Sequence, residues 1–155
     1  MPIWKQPEVI SWSQILVDSF QQLTGKQLIV EQETPEQLAE ALFFAPFVIV
    51  SHGIQADPIF NYGNQTALKL WEISWDNLLK MPSRLSAEEI NREARAMMLQ
   101  QAAKNGYIDN YRGVRISSTG KRFLVEKAIV WNLKDKLGNK CGQAATFSDW
   151  IFLKS

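Results

Sequence analysis

Cysteine is nearly absent from this sequence: Cys141 stands alone among 155 residues. No disulfide can form within the chain, and a reducing compartment suits it best. Histidine is as scarce. His52 is the only one, and one histidine and one distant cysteine do not make a zinc site. A Ser-His-Asp or Cys-His arrangement would have to use that same residue, and no nucleophile-elbow motif is present, so catalysis is not expected. An excess of one charge sign is missing too, since 17 basic and 16 acidic side chains leave a net +1. Nucleic-acid phosphates attract basic surfaces, and no Lys/Arg stripe interleaved with aromatics occurs, which argues against a DNA or RNA partner. Nor is there a long apolar run. The longest, Leu42 to Val50, contains Pro46 and falls well short of the ~20 residues of a membrane helix. Residues 1–14 have no basic head followed by an apolar run, so they do not read as a signal peptide. The expectation is a cytoplasmic protein with no membrane partner.

What is present is an ordinary globular mixture, 46% hydrophobic and 21% charged, at a length that suits one domain over 1–155. Pro7 opens a first helix and Gly25 closes it. Between them Val9, Trp12, Leu16, Phe20 and Leu23 recur at spacings of three and four, which sets them on one face. That stripe needs a cover, either the body of the same domain or a second copy in a homodimer. Thr34, Pro35 and Gln37 carry the pattern of a capping box for a second helix, which runs to about Phe44. These two helices form an N-terminal extension over 1–45, ahead of a core over 46–155.

Phe47 to Val50 is a continuous β-branched apolar run, the pattern of a strand buried on both faces. Ile59 to Tyr62 reads as another short strand, and Asn64 as the cap of a small helix holding Ala67, Leu68 and Trp71. A further short helix spans Ser74 to Lys80. Ser86, Ala87, Glu88 and Glu89 form a second capping box, before a helix carrying Ile90, Ala94, Met97, Met98 and Ala102 on one side. After Gly106 the period drops to two. Strands run over Tyr111–Ser117, Arg122–Lys134 and Gly142–Phe152, linked by turns into an antiparallel meander. In the long strand Phe123, Val125, Ile129, Trp131 and Leu133 share one face with Lys127 as the exception, and Leu124, Ala128 and Val130 take the other. Both faces are therefore expected to be covered, one by helices and one by the N-terminal segment or a partner. The resulting fold class is α+β: a five-stranded antiparallel sheet with helices packed on one face, preceded by two N-terminal helices. Such an arrangement encloses a hollow between sheet and helices, a natural place for a small molecule.

Asp57-Pro58-Ile59-Phe60-Asn61-Tyr62-Gly63-Asn64, with Ala67-Leu68 and Trp71 behind it, resembles the opening of a PAS domain. Pro82-Ser83-Arg84-Leu85-Ser86-Ala87-Glu88, the stretch from Gly106 to Ser117, Gly120 to Phe123, Ala128 to Asp135, and Gly142 to Phe147 with Trp150 resemble the MEKHLA family. The likeness covers about Ser11 to Trp150. It implies a PAS-like fold and, by analogy with PAS domains, sensing of light, oxygen or redox state. The same domain type ends plant homeodomain-zipper transcription factors and occurs as small stand-alone bacterial proteins. This chain has the stand-alone length, and that bacterial type is the expectation. Among PAS cofactors, light sensors of the LOV type need a cysteine in a Gly-x-Asn-Cys motif. Here Gly63-Asn64-Gln65 has none, so that photochemistry is not expected, although non-covalent flavin stays open. Haem sensors use a helical histidine, whereas His52 follows a strand. The cofactor is left unknown.

The residues that would hold a ligand are Asn61, Trp71, Met97, Tyr111, Arg115, Trp131 and Gln143. Tyr111 and Arg115 point to one side of their strand and Arg112 to the other. Turned inward, Arg115 would clamp a carboxylate or phosphate between aromatic walls. Turned outward, it would form one of the weak surface ion pairs available with Asp109 or Glu126. Met97 and Met98 are adjacent on a helix, so at most one faces the hollow. A sensory module that binds a small molecule and signals to a partner is the first reading. An interaction or dimerisation module with a filled core is the second.

Overall fold

The computed structural model describes residues 1–87, 93, 96–98, 100–101 and 104–154. Helix α1 (Pro7–Thr24) has Pro7 in its first turn and ends on Gly25, whose left-handed backbone (φ 73°) lets its N–H reach the Gln21 carbonyl at 2.9 Å. Helix α2 (Pro35–Phe43) opens on the expected capping box. The Gln37 N–H donates to Thr34 Oγ1 at 3.1 Å, and the Thr34 N–H donates to Gln37 Oε1 at 3.2 Å. Strands β1 (Val48–His52) and β2 (Phe60–Gly63) follow, then α3 (Gln65–Trp71), α4 (Trp75–Leu78) and a 3-10 turn over Ser83–Ser86. The second capping box falls largely on residues outside those described. Ser86 itself lies in the 3-10 turn, where its hydroxyl donates to the Ser83 carbonyl at 2.7 Å. Helical backbone is described at 93, 96–98, 100–101 and 104–105. Strands β3 (Tyr107–Ile116), β4 (Arg122–Lys134), β5 (Lys140–Phe147) and β6 (Asp149–Phe152) complete the chain.

The sheet runs in the order β2-β1-β5-β4-β3 with every pairing antiparallel, and β6 pairs with the first part of β4. The early and late strands thus form one wall, as expected from the PAS-like reading. The sixth strand is not a new layer. Ile129 faces Thr146 and Glu126 faces Asp149, so residues 127–128 and 147–148 interrupt both strands equally and β6 prolongs β5.

One expectation about β4 needs correction. Tyr111 pairs with Ala128 but Gly113 pairs with Val125, so β4 carries an extra residue there. Lys127 lies in that step, in the left-handed region at φ 56°. On β3, Ile108 pairs with Val130 and Tyr111 with Ala128, an extra residue on the other strand, where Asn110 has φ 55°. A bulge shifts the side-chain alternation by one. Phe123 and Val125 therefore share a face with Ala128 and Val130, while Ile129, Trp131 and Leu133 turn to the opposite side. Lys127 is the place where the strand changes face, not an exception on a uniform one. The third strand also begins at Tyr107, four residues before its expected start.

The outer face of the sheet is covered by α1. Leu16, Ile49, Trp131 and Leu133 are fully buried in one cluster with Phe20 and Val9. Phe20 packs edge-on against Trp131 at 4.9 Å. The Trp131 indole donates to the Leu16 carbonyl at 3.2 Å, and the Trp12 indole to Ser51 Oγ at 2.9 Å. The apolar stripe of α1 packs on its own sheet, with Trp12 and Leu23 only partly buried, which is the first of the two covers the stripe allowed. Burying a side chain of this kind contributes about 1.5–3 kcal/mol. Asn64 ties the layers together. Fully buried, it accepts from the Ile49 and Ala67 amides, both at 3.1 Å, and donates to the Leu42 and Phe47 carbonyls at 3.2 and 2.8 Å.

Candidate functional site

The inner face of the same sheet is not filled. Between β1, β3, β4 and β5 on one side and α3 with Met98 on the other lies a cavity of about 60 Å3. Since ~10–15 Å3 suffices for one water, the space suits a few waters or a small organic group. Its floor is apolar, with Val50, Val130, Ala145 and Phe147 turned into it by strand alternation. The polar groups on its wall include Tyr111, Arg115, Gln143, His52 and Ser86.

Arg115 is the unusual member. Its side chain lies on the inner face of β3 with the residue only 9% exposed, and no carboxylate of the described residues is paired with it. One terminal nitrogen donates to the Tyr111 hydroxyl at 2.9 Å and the other to the Val114 carbonyl at 3.2 Å. The guanidinium also sits 5.3 Å from the centre of the Tyr111 ring, a cation–π contact. Gly113 makes this possible, because a Cβ there would collide with the Tyr111 hydroxyl as it reaches over to Arg115. Arg112 points the other way, as strand alternation requires, and forms an exposed pair with Glu126 at 3.4 Å. The ion-pair alternative thus describes Arg112 but not Arg115.

Trp71 brings a second buried donor. The residue is 4% exposed and lines the cavity, edge-on to Phe123 at 5.2 Å and to Phe147 at 6.0 Å. Its indole N–H is buried and has no acceptor among the described residues. A clasp holds this wall in place. The Ser118 amide donates to the Trp71 carbonyl at 2.9 Å, and the Ser118 hydroxyl to the Glu72 carbonyl at 2.6 Å. The Glu72 carboxylate accepts from the Thr119 and Ser117 hydroxyls and pairs with Lys121 at 3.2 Å. Those hydroxyls, Thr119 first, hold it below the usual carboxylate range, and Lys121 adds to the effect.

Of the residues chosen from sequence, Trp71, Tyr111, Arg115 and Gln143 come together on the cavity wall. Three do not. Trp131 is displaced by the bulge at Lys127 onto the outer face, against α1. Asn61 follows Phe60 on β2, and since Phe60 lines the cavity its neighbour faces away, accepting from the Ser51 hydroxyl. Met97 is 60% exposed, while Met98 is 8% exposed and touches the cavity, so the choice between the adjacent pair is reversed.

Sequence reading passed over His52, although alternation from Val48 through Val50 places it on the same face. It is the last residue of β1, opposite Gln143. Its Nδ1 lies 2.9 Å from the Gly53 carbonyl. A carbonyl only accepts, so Nδ1 carries the proton. Cys141 packs with the outer cluster and not with the cavity, and burial raises its thiol pKa, with Asp135 adding to the shift. Among the described residues no group of three His, Cys, Asp or Glu is placed to hold a metal, and no helix is long and apolar enough to cross a membrane.

Comparison with known proteins agrees with this architecture. The chain is similar to the PAS domain of a protein from Colwellia psychrerythraea (TM-score 0.64, 15% identity, 76% of this chain and 95% of that one). It is also similar to an RNA-binding Light-Oxygen-Voltage receptor (TM-score 0.64, 15% identity, 82% of this chain and 35% of that one). At such identities the likeness is one of fold. Among curated proteins, homeobox-leucine zipper protein HOX29 of Oryza sativa subsp. indica is 24% identical over 151 residues, covering 95% of this chain and 18% of that protein. ATHB-14 of Arabidopsis thaliana is 31% identical over 99 residues, covering 63% of this chain and 12% of that protein. The chain thus spans less than a fifth of the length of these relatives. The MEKHLA domain model matches residues 10–152, nearly all of the α+β body described above, and the chain belongs to the MEKHLA domain family.

Proposed function

We propose that this PAS-like domain is a sensory module that takes a small molecule into the inner cavity and passes its occupancy to a partner protein. The observation that carries the reading is the buried guanidinium of Arg115 on the wall of an otherwise apolar cavity. A buried charge with only neutral partners is costly, and a domain whose other layer is tightly packed has no structural need of one. A ligand supplies the missing partner. The signal leaves through the wall: Met98 on the helical side and Trp71 on α3 both touch the space a ligand occupies. We read the site as binding, not catalysis. The His52 Nδ1 is committed to the Gly53 carbonyl, and Glu126 lies in the pair with Arg112.

Native mass spectrometry and an absorbance spectrum of freshly purified protein test this. The expected result is a mass excess that disappears on denaturation. Protein free of any bound molecule, together with a crystal structure in which side chains fill the cavity, would overturn the reading.

A further inference from the structure

Resting on that reading, we infer that the ligand is a short monocarboxylate, its carboxylate against Arg115 and its hydrocarbon end over Val50, Val130 and Ala145. Arginine cannot shed its proton in a protein. The Tyr111 hydroxyl and ring and the Val114 carbonyl offset part of the burial cost of Arg115, and an anion offsets the remainder best. A guanidinium has five N–H bonds; the Tyr111 hydroxyl and the Val114 carbonyl occupy two. The rest have no partner among the described residues. A planar fork of free donors is the geometry that receives a carboxylate through two parallel hydrogen bonds.

The count of charges separates a carboxylate from a phosphate. Among the described residues Arg115 is the only Lys or Arg on the cavity wall, so one negative charge is balanced and a second is not. The cavity's size and floor set the rest. Roughly five water-sized positions in about 60 Å3 admit an acid of a few carbons, and the floor offers methyl groups in place of hydrogen-bond partners for the remainder. The unpaired Trp71 indole N–H supplies a further donor on the same wall.

Calorimetry and thermal shift in buffer free of chloride and phosphate test the assignment, with acetate, propionate, butyrate, propanamide and inorganic phosphate as probes. Propionate or a near homologue is expected to bind saturably and raise the melting temperature, with propanamide weaker by about tenfold or more because the charge-assisted bonds are lost. Arg115→Met, its fold checked by circular dichroism, is expected to abolish the difference between acid and amide. Arg115→Lys is expected to restore part of it. Trp71→Phe covers the case in which Arg115→Met does not fold, and is expected to weaken the acid severalfold. Equal binding of acid and amide, tighter binding of phosphate, or Arg115→Met binding like the parent would each overturn the inference. A neutral or larger molecule co-purifying with the protein overturns the carboxylate assignment but leaves the sensory reading standing. No binding by any probe, with a filled cavity, ends both.

Discussion

Two tryptophans on opposite faces of one sheet show how differently its sides are used. Trp131 is fully buried against Phe20, and its indole N–H is answered by the Leu16 carbonyl. Trp71 is also buried, also packed edge-on against phenylalanines, yet its N–H meets no acceptor among the described residues and its ring borders open space. Around Trp131 the buried indole is paired and closely packed, as buried polar atoms usually are, although the Tyr62 hydroxyl of the same layer makes no hydrogen bond among the described residues. Around Trp71 the indole is unpaired and a cavity lies open beside it. Such departures are expected where a structure gives up stability for binding.

The largest effect of breaking this contrast is expected in the outer layer. Leu16→Ala removes a fully buried side chain from the outer cluster and is expected to cost about 3–5 kcal/mol in urea unfolding. A loss below about 1 kcal/mol would mean that layer is loosely packed after all. Trp131→Phe and Trp71→Phe delete the same atoms from the two sides. Only the first breaks a hydrogen bond, so it is expected to be the more destabilising by about 1 kcal/mol. Equal losses would erase the distinction drawn between the two indoles.

Lys127→Gly probes the bulge that separates the faces. A non-glycine residue at φ 56° costs about 1 kcal/mol relative to glycine. The substitution is expected to stabilise by up to that amount, whereas Lys127→Val is expected to destabilise. Glu72→Gln tests the clasp behind Trp71. The Glu72 pKa is lowered in the folded protein by the Thr119 and Ser117 hydroxyls and by Lys121. The stability the carboxylate lends is therefore fully present above the ordinary carboxylate range and is lost as pH falls through the lowered value. Urea midpoints of the parent and Glu72→Gln should differ at neutral pH and converge on acidification. A gap that stays constant with pH would detach Glu72 from the effect.

Much of the architecture was legible because its signals are local. Pro7, Gly25 and the Thr34–Gln37 box act within a turn or two of themselves, and each appears where its chemistry places it. That Arg115 and Arg112 turn to opposite faces followed from alternation, but which of them turns inward did not. Alternation failed at Lys127, where one residue with positive φ reversed the sense of everything beyond it and carried Trp131 from the expected site to the outer core. Nothing in the spacing of apolar residues announces a bulge except a charge at a position that reads as buried, and Lys127 was such a charge. Asn64 was partly legible, since its cap on α3 is local. Its bonds to Leu42, Phe47 and Ile49 need the folded chain.

By itself the chain determined its helices, its strands and the antiparallel meander, because hydrogen-bond capping and side-chain periodicity are settled between near neighbours. Only the tertiary structure decided which face each strand residue took, that α1 would close the outer side, and that Arg115 would be buried beside a space with no counter-ion among the described residues. Those outcomes depend on bulges and on contacts between segments as far apart as Leu16 and Trp131. Distant segments meet only when burying both lowers the free energy of the whole.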